Sequence, residues 1–204
     1  MRHLCDVSAT LDIADERGKS PIWCAAWYGH VQVVRILLKA EASPNCYDCD
    51  ERTPLHATCD VDSTWGDWRK LQLRNPEVAR LLLDARADTN HSDRYGCSPL
   101  IAACQNGLHK HVRLLCDGNA TVHQTDACNK TALHWASMYG FIRIVRILID
   151  AGGFKDPADV DGMTCLNAAH RFGHKGVAVF LRRSALDKTR KGCLRRIRRR
   201  LGKQ

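Results

Sequence analysis

Five short segments of this chain recur at a fixed spacing. Ser20-Pro21-Ile22-Trp23 aligns with Thr53-Pro54-Leu55-His56, Ser98-Pro99-Leu100-Ile101, Thr131-Ala132-Leu133-His134 and Thr164-Cys165-Leu166-Asn167. Their first residues lie 33, 45, 33 and 33 apart, a period of 33 broken once by 12 extra residues. A period of this length marks an array in which each unit is one piece of supersecondary structure and only stacking completes a core.

The rest of each unit follows one template. Small residues come next, as in Ala25-Ala26 and Ala168-Ala169, then a glycine: Gly29, Gly107, Gly140 or Gly173. An apolar run follows, such as Val33 to Leu38, Val78 to Leu83 or Ile144 to Ile149, and a short polar stretch closes the unit. Ser or Thr caps a helix by accepting a backbone N–H, and Pro suits the first helical position. Glycine ends the first helix in the left-handed region, and the apolar run has helical periodicity. Each unit is therefore a helix pair with alanines at the close approach.

This pattern resembles the ankyrin repeat family. Thr53-Pro54-Leu55-His56 and the segment from Thr131 to Gly140 carry the family signature, and Gly29-His30 and Gly173-His174 match its inter-helix turn. The resemblance implies an all-α solenoid of stacked helix pairs with short hairpin tips. Residues 1–183 form the repeat domain: a partial repeat at 1–14, then repeats at 15–47, 48–92 (with the insertion), 93–125, 126–158 and 159–183. The chain either is a fragment or begins on a cap of its own. Trp23, Ile101 and Asn167 replace the histidine that ties neighbouring loops in the family. His109, Lys110 and His111 weaken the second helix of the third repeat, so the middle of the stack is expected to be soft. The extra residues between His56 and Val78, with Trp65 and Trp68, form a longer first helix or a protruding loop. The tryptophan pair either folds back onto the stack or binds a partner.

Chemistry is sparse. The eleven cysteines are odd in number and scattered, and only Cys46 and Cys49 form a C-x-x-C. They read as reduced thiols of an intracellular protein, cytoplasmic or nuclear, and no metal site is expected. No phosphate-cradling loop, no H-E-x-x-H and no framed carboxylate pair occurs, so no enzyme, cofactor or small-molecule substrate is expected. No secretory signal is seen at Met1 to Asp15, and no apolar run approaches the ~20 residues of a membrane span. His56 and His134 read as structural hydrogen-bonding groups.

The resemblance implies a protein partner in the concave groove, which is lined by loop tips and the free side of each first helix. Trp27, Tyr28, Met138, Tyr139, Arg171 and Phe172 precede the turn glycines and should face that groove, where the third repeat has Gln105-Asn106. Arg94 and Tyr95 should project from a tip, as should Arg17 and Asn129-Lys130. Tyr28, Tyr139 and Phe172 serve equally well to pack between repeats, whereas Trp27 should face solvent. Asn45 and Asn90 resemble asparagines that related repeats present for hydroxylation, but the turn-forming reading is preferred.

Net charge is +9, and residues 184–204 hold nine Lys/Arg against one acid, hence +8. This tail can be a solvated basic end, a nuclear import signal bound by importin, or a segment drawn to anionic membrane or nucleic acid. A fourth reading is a truncated suppressor-of-cytokine-signalling box. Cys193, Ile197, Arg198, Leu201 and Gly202 fall on its first-helix pattern, while Thr189 stands where a Leu is expected. That resemblance implies recruitment of elongin C and a cullin ubiquitin ligase through Cys193, Ile197 and Leu201. The function expected first is a non-enzymatic adaptor; the alternatives are a ubiquitin-ligase substrate receptor and a nuclear regulator that binds a transcription factor.

Overall fold

The computed structural model describes residues 13–60, 75–153 and 158–186. Within them the chain alternates short inner and longer outer helices. The inner helices are α1 (Pro21–Trp27), α3 (Pro54–Cys59), α5 (Pro99–Gln105), α7 (Ala132–Met138) and α9 (Cys165–Arg171). The outer ones are α2 (Val31–Lys39), α4 (Pro76–Asp84), α6 (His109–Asp117), α8 (Ile142–Asp150) and α10 (175–186). The inner helices pack chiefly on neighbouring inner helices and on their own outer partners, and the outer helices α2 to α8 follow the same rule. The described residues contain no strand, only an isolated bridge between Thr125 and Thr131.

Local chemistry sets the boundaries. Ser20, Thr53, Ser98, Thr131 and Thr164 each accept the N–H of the residue three positions on, capping the inner helices. The turn glycines after α1, α5, α7 and α9 have φ between 70° and 78°, a region an L-residue enters only at a cost. The core runs along the stack as a seam of Ile22, Leu55, Leu100 and Leu133 beneath the inner helices and of Val34, Leu82, Leu115 and Leu148 beneath the outer ones.

The tips are turns built on one device. Asp15, Asp48, Asp93, Asp126 and Asp159 each accept two backbone N–H groups through Oδ1, from residues two and four positions on, at 2.8–2.9 Å. Successive tips are joined by single backbone bonds: Cys49 N–H to Arg17 O, Arg94 to Asp50, Ala127 to Tyr95 and Val160 to Cys128.

The structure bears on three of these readings. Trp23 does not lose the loop tie of the histidine it replaces: its indole N–H donates to Arg52 O at 2.9 Å. His56 makes the matching bond one repeat later, to Cys97 O at 3.0 Å. The first helix of the second repeat is not lengthened by the insertion. It ends at Cys59, because Asp60 turns extended and pairs with Arg52 at 2.6 Å. The second helix of the third repeat has the same length as α2, α4 and α8, and His111 is buried in it beside Val112 and Leu115. The remainder of the insertion, with Trp65 and Trp68, and the tail from 187 onward lie outside the described residues.

Candidate functional site

The side chains singled out from sequence meet different fates. Tyr28, Tyr95, Tyr139, Arg171 and Phe172 are exposed. Tyr28 stacks on His30, and Tyr139 stacks on Trp135 and leans on Phe141, so these rings serve packing and surface at once. Trp27 is half-buried rather than solvent-facing: its ring lies 5.3 Å from Trp23, and the Lys19 ammonium sits over both. Met138 is half-buried, and its carbonyl accepts from His174 Nε2 at 2.9 Å.

Two of the tip cations, Arg94 and Lys130, are latched and do not project freely. Arg94 pairs with Asp50 at 2.9 Å and donates to Cys49 O at 2.8 Å. Lys130 is drawn to Asp159 at 3.1 Å, and Asn129 donates to Ala158 O. Asn45 and Asn90 also bridge repeats: their side-chain oxygens accept the N–H of Asp88 and Thr121. These bonds join one repeat to the next rather than closing a turn within one.

One hollow of about 320 Å³ opens between the tips and inner helices of the second, third and fourth repeats. Its tip side is made by Arg52, Asp93, Tyr95, Cys97 and Asp126, and its helix side by His56, Asp60, Gln105, Asn106 and Trp135. Of the residues singled out as binding residues, only Tyr95 is here. The rest escaped notice because the polar ones looked like ordinary turn residues. The usable signal was the absence of a bulky residue at Gln105-Asn106, which leaves space.

The hollow is a charged but ordered place. Arg52 bridges two carboxylates, Nη1 to Asp60 at 2.6 Å and Nε to Asp93 at 3.4 Å. Asp126 is buried; its Oδ1 accepts from Cys128 and Lys130 N–H, and its Oδ2 from Trp135 Nε1 at 2.8 Å. Asn106 Nδ2 donates to Cys59 O and Ala102 O. Hollow, tips and inner helices thus share one face.

Three copies of a family model described as ankyrin repeats match the chain, over residues 1–64, 71–126 and 118–191. The chain belongs to the ankyrin repeat family. The ankyrin repeat is in general a protein–protein interaction module, and its proteins are typically non-enzymatic binding scaffolds. Among the described residues, no helix is long and apolar enough to cross a membrane.

The titratable groups of this ankyrin groove follow from its burial. Burial pushes the His56 imidazole down to about 4, against a bond to Cys97 O that favours the charged form. Thr53 N–H can only donate, so His56 Nδ1 accepts and Nε2–H donates to Cys97 O. Both ring nitrogens are committed. Burial, followed by the charges of Asp93 and Asp126, pushes the Cys97 thiol up to about 12. Burial pulls Arg52 down, but Asp60, Asp93 and other carboxylates outweigh it and hold the guanidinium above its ordinary value. A neutral, doubly bonded imidazole beside an undissociated thiol offers neither a base nor a nucleophile.

Proposed function

We propose that this ankyrin stack is a non-enzymatic adaptor that binds one protein partner along the face formed by tips and inner helices. The observation that carries the reading is the hollow between the second and fourth repeats, flanked on the same face by exposed Tyr95, Tyr139, Arg171 and Phe172. Aromatic and Arg side chains are the residues most often found at interface hot spots. Trp27, Arg94 and Met138 contribute less, because packing and ion pairs already hold them, and Tyr28 is as exposed as Tyr139 but lies further from the hollow. The protein acts inside the cell, in the cytoplasm, the nucleus or both.

The test is affinity capture with mass spectrometry, then dissociation constants for the partner found. Tyr95→Ala, Tyr139→Ala and Arg171→Ala should each weaken binding, with hot-spot positions costing about 2 kcal/mol. Gln32→Ala and Arg143→Ala, exposed on the outer helices, should not. The reverse pattern overturns the reading.

A second reading rests on the sequence of the tail. If the tail is a box helix, the spacing of four between Cys193, Ile197 and Leu201 would put them on one face, suited to an apolar pocket of elongin C. The stack would then select a substrate for a cullin ubiquitin ligase. Ile197→Asp should abolish elongin B/C pull-down with little effect of salt. If the tail acts by charge, as an import signal bound by importin in a nuclear regulator, Ile197→Asp is silent. Neutralising Arg195, Arg196, Arg198, Arg199 and Arg200 then abolishes nuclear accumulation and importin binding, and salt weakens that binding steeply.

A further inference from the structure

We infer that the hollow between the second and fourth repeats receives an arginine side chain of the partner polypeptide, held by Asp126 and Asp60 and stacked on Trp135 and Tyr95. This rests on the reading of that face as the binding face and adds the chemistry of what enters it.

Size and lining come first. About 320 Å³ is at the low end of ligand pockets, which span roughly 300–1,000 Å³, and suits one long side chain. Apolar and aromatic surface dominates the lining, and a few polar groups converge on it.

Charge selects the guest. Three carboxylates, Asp60, Asp93 and Asp126, meet a single cation, Arg52. Arg52 already spends its fork on Asp60 and Asp93, so it has little left for an anionic guest. Asp126 is 8% exposed, yet only neutral N–H groups serve it; among the described residues no cation lies within 4 Å. A carboxylate oxygen accepts two bonds, so Oδ2, bonded once to Trp135, keeps one acceptor direction. An apolar guest would strip water from these carboxylates without replacing it.

The aromatic walls select further. In the first repeat the chain covers its own tryptophans: Lys19 Nζ lies 4.3 Å from the Trp23 ring and 5.6 Å from Trp27. Lys130 holds the repeat position of Lys19 but is turned to Asp159, and the positions of Trp23 and Trp27 are taken by His134 and Met138. Among the described residues, no Lys or Arg lies over Trp135 or Tyr95. Tyr139 stacks on one face of Trp135, and a cation entering the hollow is offered the rest of that ring and Tyr95. A guanidinium suits these walls better than an ammonium, because it stacks on rings and forks onto carboxylates.

The experiment follows backbone and indole N–H signals of the ¹⁵N-labelled full chain by NMR. The probes are the peptide acetyl-Gly-Arg-Gly-amide and its citrulline counterpart, which keeps the shape and loses the charge. The arginine peptide should give saturable shifts at the Trp135 indole and at the Tyr95 and Cys128 amides. The citrulline peptide should bind about tenfold more weakly or worse. Gln105→Lys places a competing ammonium in the hollow, giving up only the Gln105 Nε2 bond to Cys97 Sγ at 3.8 Å and none of the backbone bonds between tips, and should cost the arginine peptide a similar factor. Asp126→Asn should match it, although it also disturbs the Trp135 bond.

Equal binding of both peptides, or shifts elsewhere, overturns the inference. So does arginine binding that appears only after residues 187–204 are deleted, because the occupant is then the chain's own tail. If arginine fails but the partner still needs Tyr139 and Arg171, the pocket chemistry falls and the groove reading stands. If arginine binds while the partner ignores Tyr139, Arg171 and Gln105→Lys, both fall.

Discussion

His56 makes this stack acid-sensitive at a defined place. In the folded chain its imidazole stays neutral down to about pH 4, against an ordinary value of 6.5. Burial is the main cause: the side chain is 2% exposed, so little solvent screens the effect. Protonating Nδ1 would also end its acceptance of Thr53 N–H. Between pH 6.5 and 4 the unfolded chain binds this proton and the folded chain does not. Stability is therefore fully present above pH 6.5 and is lost as pH falls towards 4. The gap corresponds to about 3 kcal/mol, of which roughly 2.5 kcal/mol should be gone by pH 4.5. The control is His56→Ile, since Ile101 fills the same repeat position in the third repeat. Urea unfolding of both proteins at pH 7.5 and 4.5 should show the wild-type chain losing about 2.5 kcal/mol more than the variant. The His56 ring proton signals should stay at their neutral positions until pH approaches 4. Equal losses in the two proteins, or a ring titrating near 6.5, would refute the reasoning.

Three other perturbations probe the joints of the stack. Ser98→Ala removes the cap bond to Ile101 N–H and should cost about 1 kcal/mol in urea unfolding. Gly140→Ala forces an L-residue to φ 74° and drives its Cβ into the His174 ring. It should cost about 2 kcal/mol or more and lower the thermal midpoint, with lost protection at the Met138–His174 contact. Arg52→Met leaves Asp60 and Asp93 without their cation and should destabilise by about 2–3 kcal/mol; a neutral result would mean that water already serves both carboxylates.

The fold was legible because its determinants are local. A hydroxyl cap, alanines, a turn glycine and an apolar run specify a helix pair without reference to the rest of the chain, and their recurrence at 33 residues specifies the stack. What escaped were choices made between repeats. Trp23 reads as a lost histidine, yet its indole N–H reaches the same carbonyl that an imidazole would. Arg94 and Lys130 read as free hooks, yet Asp50 and Asp159 of neighbouring tips hold them. The hollow is made by residues from three repeats, from Arg52 to Trp135, and no short window of sequence contains it. Periodicity shows where a position faces, not what a neighbour 33 residues away does with it.

The joints between tips are drawn mostly from main-chain atoms, and one aspartate per repeat shapes each tip's own turn. Holding the stack together and choosing what it recognises are thus largely separate tasks for different atoms. Gln105, Tyr139 and Arg171 lie outside those joints, so recognition could be rewritten at these positions while the scaffold stays as it is. Arg94, Lys130 and His174 serve a joint with their own side chains. At these three positions a new specificity and a weaker scaffold would come together, and a lineage altering its partner would be expected to change them last.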